Sequence, residues 1–382
     1  MKFENVIGQE EVKSKLRGMV NSGHIPHAMM FLGPEGNGAL PMALAFAQYL
    51  NCENKSDIDS CGVCPSCQKT QKFIHPDLHF TFPVIKPEKQ KDPPVSTDYI
   101  TQWREALTSQ PYMSVNDWLQ YIEAENKQGN ITVRECHEII RHINLKTYES
   151  GYKIQLIWRA EFLKEAGNTL LKVIEEPPAN TIFILVVENI EQVLTTVISR
   201  TQIVKINAID DADVEDALLR RFEMEPATAE RIARIADGNF NAALNYAGGD
   251  ETGNDKRLHK WLVACYSLKL KPSAANTNHL FEWVDDTAKI GRENQKLFLK
   301  YALFFIRECT YLSLTGESKK LVGEELKFAS GLSSKLGPIQ LEQLSEVFNQ
   351  AYYHIERNAN PKTLLTSTSF KISTVFAGQE VV

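Results

Sequence analysis

Residues 33–40, Gly-Pro-Glu-Gly-Asn-Gly-Ala-Leu, keep the glycines of a phosphate-binding loop and lack the two residues that do its chemistry. The working pattern is Gly-x-x-x-x-Gly-Lys-Ser/Thr between a strand and a helix. Its backbone N–H groups cradle phosphates, its lysine reaches the β- and γ-phosphates, and its hydroxyl ligates Mg²⁺. Here Gly33, Gly36 and Gly38 remain, while Ala39 stands at the lysine and Leu40 at the hydroxyl. An apolar pair neutralises no triphosphate and holds no metal, so neither ATP nor Mg²⁺ is expected on this chain. Read at its plainest, the segment is a strand–helix turn whose helix N-terminus still offers N–H groups to a weakly held anion.

A second constellation has the spacing of a metal site. Cys52, Cys61, Cys64 and Cys67 form Cys-x8-Cys-x2-Cys-x2-Cys, with Gly62 and Pro65 in the gaps. Four thiolates bind Zn²⁺ tetrahedrally and leave no open position, so such a site would be structural. Four reduced thiols in a loop is the other reading. A redox pair is disfavoured, because the cysteines follow a helix and come as a set of four. Cys136, Cys265 and Cys309 lie apart in helical-looking segments and are read as core residues. No basic stretch followed by an apolar one succeeds Met1, so no signal peptide is expected. The longest apolar run, Ile182 to Val187, is too short to span a bilayer. The expected location is therefore cytoplasmic with no membrane partner, a setting in which clustered cysteines favour metal over disulfides.

These groups must be held by ordered elements. A chain of 382 residues allows two or three domains at roughly 150 residues each. A formal charge of −6 gives no global pull toward nucleic acid, although local basic patches stay possible. The segments 29–32, 153–158, 181–187 and 202–206 read as buried strands. They alternate with helices at 10–21, 39–50, 132–143, 165–174 and 190–197, which implies an α/β fold with a parallel sheet covered on both faces. An excursion at about 83–130 interrupts this order. It opens with a proline- and lysine-rich stretch carrying Lys86, Lys89 and Lys91, read as a solvated linker because Glu88 and Asp92 interleave. Two amphipathic helices follow, one with Trp103 and one with Trp118, split by Pro111 and expected to pack on their own domain. Residues 210–248 hold short helices, and everything after the polar break at 248–255 reads as helix.

Taken in order, several segments carry a resemblance. They are Phe3-Glu4-Asn5-Val6-Ile7-Gly8-Gln9-Glu10, Gly-His-Ile-Pro-His-Ala at 23–28, the cysteine knuckle just after the loop helix, Asn168 to Pro178 with its Glu175-Glu176-Pro177-Pro178 end, and Ser199-Arg200-Thr201. Together they resemble the AAA+ clamp-loader subunits of bacterial DNA polymerase III, the gamma/tau and delta-prime type. The match covers most of residues 1–250; the 83–130 excursion is outside the common pattern, and the last third matches only in helical character. The resemblance implies an AAA+ P-loop-type α/β domain at 1–207 with a zinc knuckle at 52–67, a small helical lid at 208–250, and an all-α collar at 256–382 that drives assembly.

Four positions depart from the hydrolysing members of that family. Ala39 and Leu40 replace the loop pair. Trp158-Arg159 stands where an Asp-Glu pair should end a strand, and Glu161 is read as an out-of-register surface helix residue. Val187-Glu188-Asn189 replaces a sensor threonine, and Asn241 replaces a sensor arginine. Loss at all four points implies the non-hydrolysing delta-prime type; an active gamma/tau-like ATPase with a variant loop is the alternative. The resemblance assigns Arg200, with Ser199, as an arginine finger acting on a neighbour's nucleotide, against the plainer reading of a surface salt bridge. The partners implied are gamma/tau ATPase subunits and the delta subunit and, through the complex, the sliding clamp and primer–template DNA. A zinc-dependent nucleic-acid module would need basic and aromatic residues around Cys61–Cys67, where the chain instead has Gly-Val and Pro-Ser.

Overall fold

The computed structural model describes residues 1–86, 92–123, 129–149, 151–248, 253–318, 320–357 and 359–378. Lys89 and Lys91 of the connection, and 249–252 of the polar break, lie outside these residues. Two compact units are present, Met1–Ala243 and Leu244–Val382.

The first unit is built on five parallel strands, β1 (Ala28–Leu32), β2 (Leu78–Thr81), β3 (Lys153–Trp158), β4 (Thr181–Val187) and β5 (Gln202–Lys205). Their spatial order is β2-β3-β4-β1-β5. Around them lie α1 (Glu10–Asn21), α2 (Ala39–Asn51), α3 (Pro65–Gln71), α4 (Ile100–Ser109), α5 (Val115–Tyr121), α6 (Val133–Ile143), α7 (Leu171–Glu175), α8 (Thr195–Ile198), α9 (Asp211–Arg221) and α10 (Pro226–Ala236). The division between units falls inside α11 (Phe240–Gly248).

Period-two alternation decides which side chains meet which helices. Met29, Phe31, Leu156, Trp158, Ile184 and Val186 join the core that holds residues of α1, α2, α4 and α5. Met30, Ile157, Phe183, Leu185 and Val187 join a second core with α6, α7 and α8. Helices therefore cover both faces of the parallel sheet, as the alternating pattern requires. All thirteen residues of α2 are buried, because its sequence is apolar around the whole circumference rather than along one stripe.

The excursion folds onto this same unit. Trp103 of α4 is fully buried; its ring stacks on Phe82 at 4.1 Å and 15° and lies 5.0 Å from Trp158. Trp118 meets Trp103 edge-on at 5.1 Å and donates its indole N–H to Pro83 O at 2.8 Å. The two helices thus pack on their own domain.

The structure departs from the expected order at four places. The edge strand β2 is an addition: its four residues sit between Pro76 and Pro83, too short for a clear alternation. The helix expected at 165–174 is instead a 3-10 stretch over Ala160–Leu170, broken at Lys164 (φ 45°, ψ −136°), followed by short α7. The helix expected at 190–197 is a 3-10 turn at Ile190–Gln192 and then α8. β5 was expected to be buried, yet only Val204 of its four residues is, because it lies at the sheet margin.

The second unit is helical, comprising the end of α11 and then α12 (Asn254–Leu270), α13 (Ala274–Ala288), α14 (Arg292–Thr315), α15 (Gly323–Ser333), α16 (Pro338–Glu356) and α17 (Pro361–Phe376). Its core is organised by Trp261 and Trp283, stacked at 4.5 Å and 9°, with the Trp261 indole N–H donated to Ser369 Oγ at 2.8 Å. Cys265 and Cys309 are fully buried here, as is Cys136 in the first unit. Among the described residues, no helix is long and apolar enough to cross a membrane.

Because Trp103 joins the excursion to the sheet, Trp103→Ala should cost about 3–5 kcal/mol, the usual range for emptying a buried aromatic site. Denaturant titration should show a lower midpoint for the first unit at an unchanged slope. A loss of less than about 1 kcal/mol would show that the excursion packs loosely.

Candidate functional site at the carboxyl ends of the central strands

The chain leaves β1 for the far edge of the sheet and later returns to β1's other side as β5. The carboxyl end of β1 is therefore a topological switch point, the place where open α/β sheets leave a crevice for ligands. The glycine loop fills that position. Gly36 and Gly38 both take positive φ (71° and 94°), conformations that a side chain resists. A Cβ on Gly36 would also fall 1.8 Å from Asn239 Oδ1.

The loop's polar groups are satisfied by the protein itself. Asn37, 1% exposed, donates from Nδ2 to Ile206 O at 2.7 Å, and its Oδ1 accepts the Ala39 N–H at 3.1 Å. That N–H is the first of α2, one of the donors a phosphate would otherwise receive. Ala39 and Leu40 are themselves buried. The start of α11 closes the loop from above, with the Phe240 N–H donated to Gly36 O at 2.9 Å. Asn241 is 1% exposed, donates from Nδ2 to Asp117 Oδ2 at 2.8 Å and accepts from Gln110 Nε2. Tyr112, from the turn between α4 and α5, accepts the Ile7 N–H on its hydroxyl at 2.9 Å and meets the Phe240 ring at 5.0 Å and 67°. Burial pushes its phenol above the ordinary range.

Beside the loop, the ends of β3 and β4 carry an ion cluster. Arg159 follows β3 in the left-handed region (φ 57°, ψ 54°). Its guanidinium pairs with Glu161 at 3.1 Å and with Glu188 at the end of β4. Glu161, expected on the surface, is only 2% exposed, and its Oε1 also accepts the Glu188 N–H at 3.2 Å. The left-handed turn at Arg159 swings this carboxylate back under the strand ends. Burial raises the Glu188 carboxyl to about 7; Arg159 works against that rise, while Glu35 and Glu161 add to it. Phosphoryl transfer requires a lysine grip, a metal and an oriented water. The crevice holds a guanidinium shared between two carboxylates, with Glu35 of the loop in electrostatic range of Glu188.

The four clustered cysteines come together at the opposite end of α2, where Cys52 is the residue that follows the last turn. Their sulfurs all lie within 4.8 Å of one another. Cys61 Sγ and Cys67 Sγ are 3.9 Å apart, close to the ~3.8 Å that tetrahedral bonds of 2.3 Å to one ion would give. Successive backbone N–H groups point at the sulfurs: Cys61 N–H at Cys52, Cys64 N–H at Cys61, and Cys67 N–H at Cys64, at 3.2, 3.3 and 3.4 Å. N–H bonds from Val63 and Cys64 pull the Cys61 thiol down to about 6. The donor set fits a zinc ion. In α2's length of about 20 Å this site is kept apart from the glycine loop.

Arg200 lies just past α8, beyond the Ser199 cap. Its Nε donates to Glu175 Oε2 at 2.7 Å and its Nη1 to Thr196 O at 3.0 Å. The side chain is about one-third exposed, at 32%. The residues that sequence reasoning missed are Tyr112, Gln110, Asp117 and Asn239. Pro111 marks the turn that carries Tyr112, but nothing local to it points back toward residues 33–40. Arg159 and Glu188 were noticed only as missing catalytic groups, not as an ion pair.

The family described as DNA polymerase III, delta subunit, matches residues 8–210. DNA polymerase III subunit tau of Bacillus subtilis is 24% identical over 398 aligned residues, covering 97% of this chain and 61% of that protein. DNA polymerase III subunit gamma/tau of Mycobacterium tuberculosis is 28% identical over 224 residues, covering 58% of this chain and 32% of its own length. The chain thus spans less than two thirds of these relatives. A solved DNA polymerase III gamma subunit-related protein from Thermotoga maritima is similar at 16% identity and a TM-score of 0.39, covering 95% of this chain and 99% of that one.

The ion cluster should leave a pH signature. A carboxyl whose folded pKa is raised to about 7 favours folding fully below its unfolded value and loses that contribution as pH rises through the folded one. Glu188→Gln cannot ionise, so its stability relative to wild type should improve between about pH 5 and pH 8, by about 2 kcal/mol. Urea melts across that range would measure it. A difference independent of pH would mean that the Glu188 carboxylate is charged throughout.

Proposed function

From a chain that belongs to the DNA polymerase III, delta subunit family, we propose a non-hydrolysing AAA+ subunit of a clamp loader, of the delta-prime type. It assists ATP-driven loading of a sliding clamp onto primed DNA without turning over nucleotide itself. The observation that carries this reading is the crevice at the strand ends. Where a hydrolytic site needs lysine, hydroxyl, Mg²⁺ and a water-orienting acid, this chain has buried Ala39 and Leu40, and Arg159 paired with Glu161 and Glu188. A guanidinium already paired with carboxylates gathers a triphosphate poorly. Its partners on this reading are gamma/tau ATPase subunits and the delta subunit in the cytoplasm, with clamp and primer–template DNA reached through the complex. Residues 208–250 serve as the lid and 256–382 as the assembling collar.

The gamma and tau names of its curated relatives favour one second reading, an active gamma/tau-like ATPase with a variant loop. Equilibrium binding decides between them. The isolated protein should not hold Mg·ATP at micromolar affinity, and micromolar binding would move the assignment to the active type.

Cys52, Cys61, Cys64 and Cys67 hold structural zinc on this proposal, closing the end of α2 into a knuckle. Purified protein should carry one zinc per chain by elemental analysis. Cys64→Ser should lose the metal and leave the sheet folded, since the knuckle lies at one end of α2. Well under one equivalent in metal-replete wild type would sink the assignment.

Arg200 acts on a neighbour's nucleotide. Charge develops on γ-phosphate oxygens during transfer, and a guanidinium supplied from another subunit can neutralise it, an effect on the order of 10³–10⁵ in rate in well-studied hydrolases. The pair with Glu175 is largely solvated, worth about 0.2–1 kcal/mol in typical exposed pairs, so a phosphate can displace it. Arg200→Ala should leave folding and assembly intact and lower the clamp- and DNA-stimulated ATPase of the assembled complex. Arg200→Lys should rescue poorly, because an ammonium lacks the planar fork. Equal rates for wild-type and mutant complexes would return Arg200 to a surface salt bridge.

A further inference from the structure

We infer that Tyr112 is a built-in occupant of the space a nucleobase would need, so that the 96–123 part of the excursion excludes nucleotide from the glycine loop as a tethered stand-in for it. This deepens the non-hydrolysing reading proposed above and rests on it.

The argument begins with what a base beside a phosphate loop must find. It is a flat aromatic ring with hydrogen-bonding groups on its edge, and it needs an apolar slot next to the N-terminus of α2 with a backbone group to read that edge. The slot here has three walls: Ile7 from the N-terminal segment, Gly38 at the cap of α2, and Phe240 at the start of α11. Tyr112 meets all three. Its hydroxyl accepts the Ile7 N–H at 2.9 Å, its ring packs edge-on against Phe240 at 5.0 Å, and its Cε1 lies 3.2 Å from where a Cβ on Gly38 would stand. The side chain is 5% exposed, so the ring itself occupies this position within the packed unit.

The rest of the turn fastens this arrangement. Gln110 donates to Asn241, Asn241 donates to Asp117, and Asp117 caps α5 by accepting the Ser114 N–H at 2.7 Å. Asn239 and the Phe240 N–H sit directly on Gly36. The contacts a bound nucleotide would mediate between loop, N-terminal segment and α11 are therefore made by the polypeptide. A tethered group competes at an effective concentration in the millimolar range or above. A free nucleotide would have to expel the ring before its base could take the Ile7 N–H.

One consequence separates this from simple loss of the loop lysine. Restoring Ala39→Lys with Leu40→Thr should not restore binding while Tyr112 is in place. The test uses the full chain in four forms: wild type, the loop pair, Tyr112→Ala, and all three changes together. A fluorescent ADP analogue with Mg²⁺ is titrated into each, with zinc content and circular dichroism as controls for folding. The triple variant should bind at least about tenfold tighter than the loop pair, a difference of about 1.4 kcal/mol. If the loop pair binds as tightly as the triple variant, Tyr112 excludes nothing and the inference falls. If wild type already binds at micromolar concentration, the non-hydrolysing reading falls first, and the two failures are distinct. Tyr112→Phe covers the case in which Tyr112→Ala does not fold. It keeps the ring and removes the acceptor, so the Ile7 amide should exchange with solvent at least about tenfold faster by the same relation, with nucleotide still excluded. Unchanged exchange at Ile7 would overturn the assignment of the hydroxyl.

Discussion

The amino end of α2 has to be satisfied by something. Its first-turn N–H groups have no partner within the helix, and burial of all thirteen residues leaves little water to take that role. A buried donor without a partner costs about 1–3 kcal/mol. In a phosphate-binding loop a ligand meets that requirement. Here Asn37 takes the Ala39 N–H, while Asn239, Phe240 and Tyr112 close over the turn. On the non-hydrolysing reading proposed above, closure by protein releases the neighbouring strand ends from any need to match a polyanion. They are then free to carry Glu161 and Glu188.

The charge arrangement follows from that freedom. Arg159 takes a left-handed backbone conformation that costs a non-glycine residue roughly 1–2 kcal/mol. In return its guanidinium reaches two carboxylates from different strand ends. Removing one partner of a buried ion pair is far more damaging than the pair is stabilising, because the other charge is left behind. Arg159, Glu161 and Glu188 are thus best regarded as one unit. Its internal cation is a single positive charge fixed to the backbone, whereas a nucleotide site recruits a divalent ion together with its ligand.

Much of the frame was legible in the residues. β1 and β4 announce themselves as apolar runs, since a parallel strand buried on both faces needs no alternation, and β3 reads as a strand although it carries Lys153 and Gln155. The glycine loop was legible in its pattern, and the cysteine cluster in its spacing. β2 was not, because four residues between prolines carry too little periodicity. The helices around 160–198 were misread because apolar spacing cannot separate an α-helix from 3-10 turns interrupted at Lys164 or Val193. The closure of the loop was illegible for a different reason. Tyr112 meets Ile7 across 105 positions, and Asn241 meets Asp117 across 124. Contacts at such separation leave no local trace in one sequence. Arg159 was seen only as the absence of an acid, although its type already named the cation that replaces it.

Among the described residues, β5 has no strand on its outer side and forms one margin of the sheet. An unpaired row of backbone donors and acceptors is a template on which another chain can grow a strand. Here the hazard is limited by length and chemistry: the strand has four residues, Gln202 and Lys205 stand exposed at its ends, and Ile203 is the one large apolar side chain facing outward, at 39% exposure. Protection of this edge therefore rests on two polar residues. An engineered chain that exchanged both for valine or isoleucine would keep its core and gain an adhesive edge, turning this margin into a seed for sheet-to-sheet aggregation.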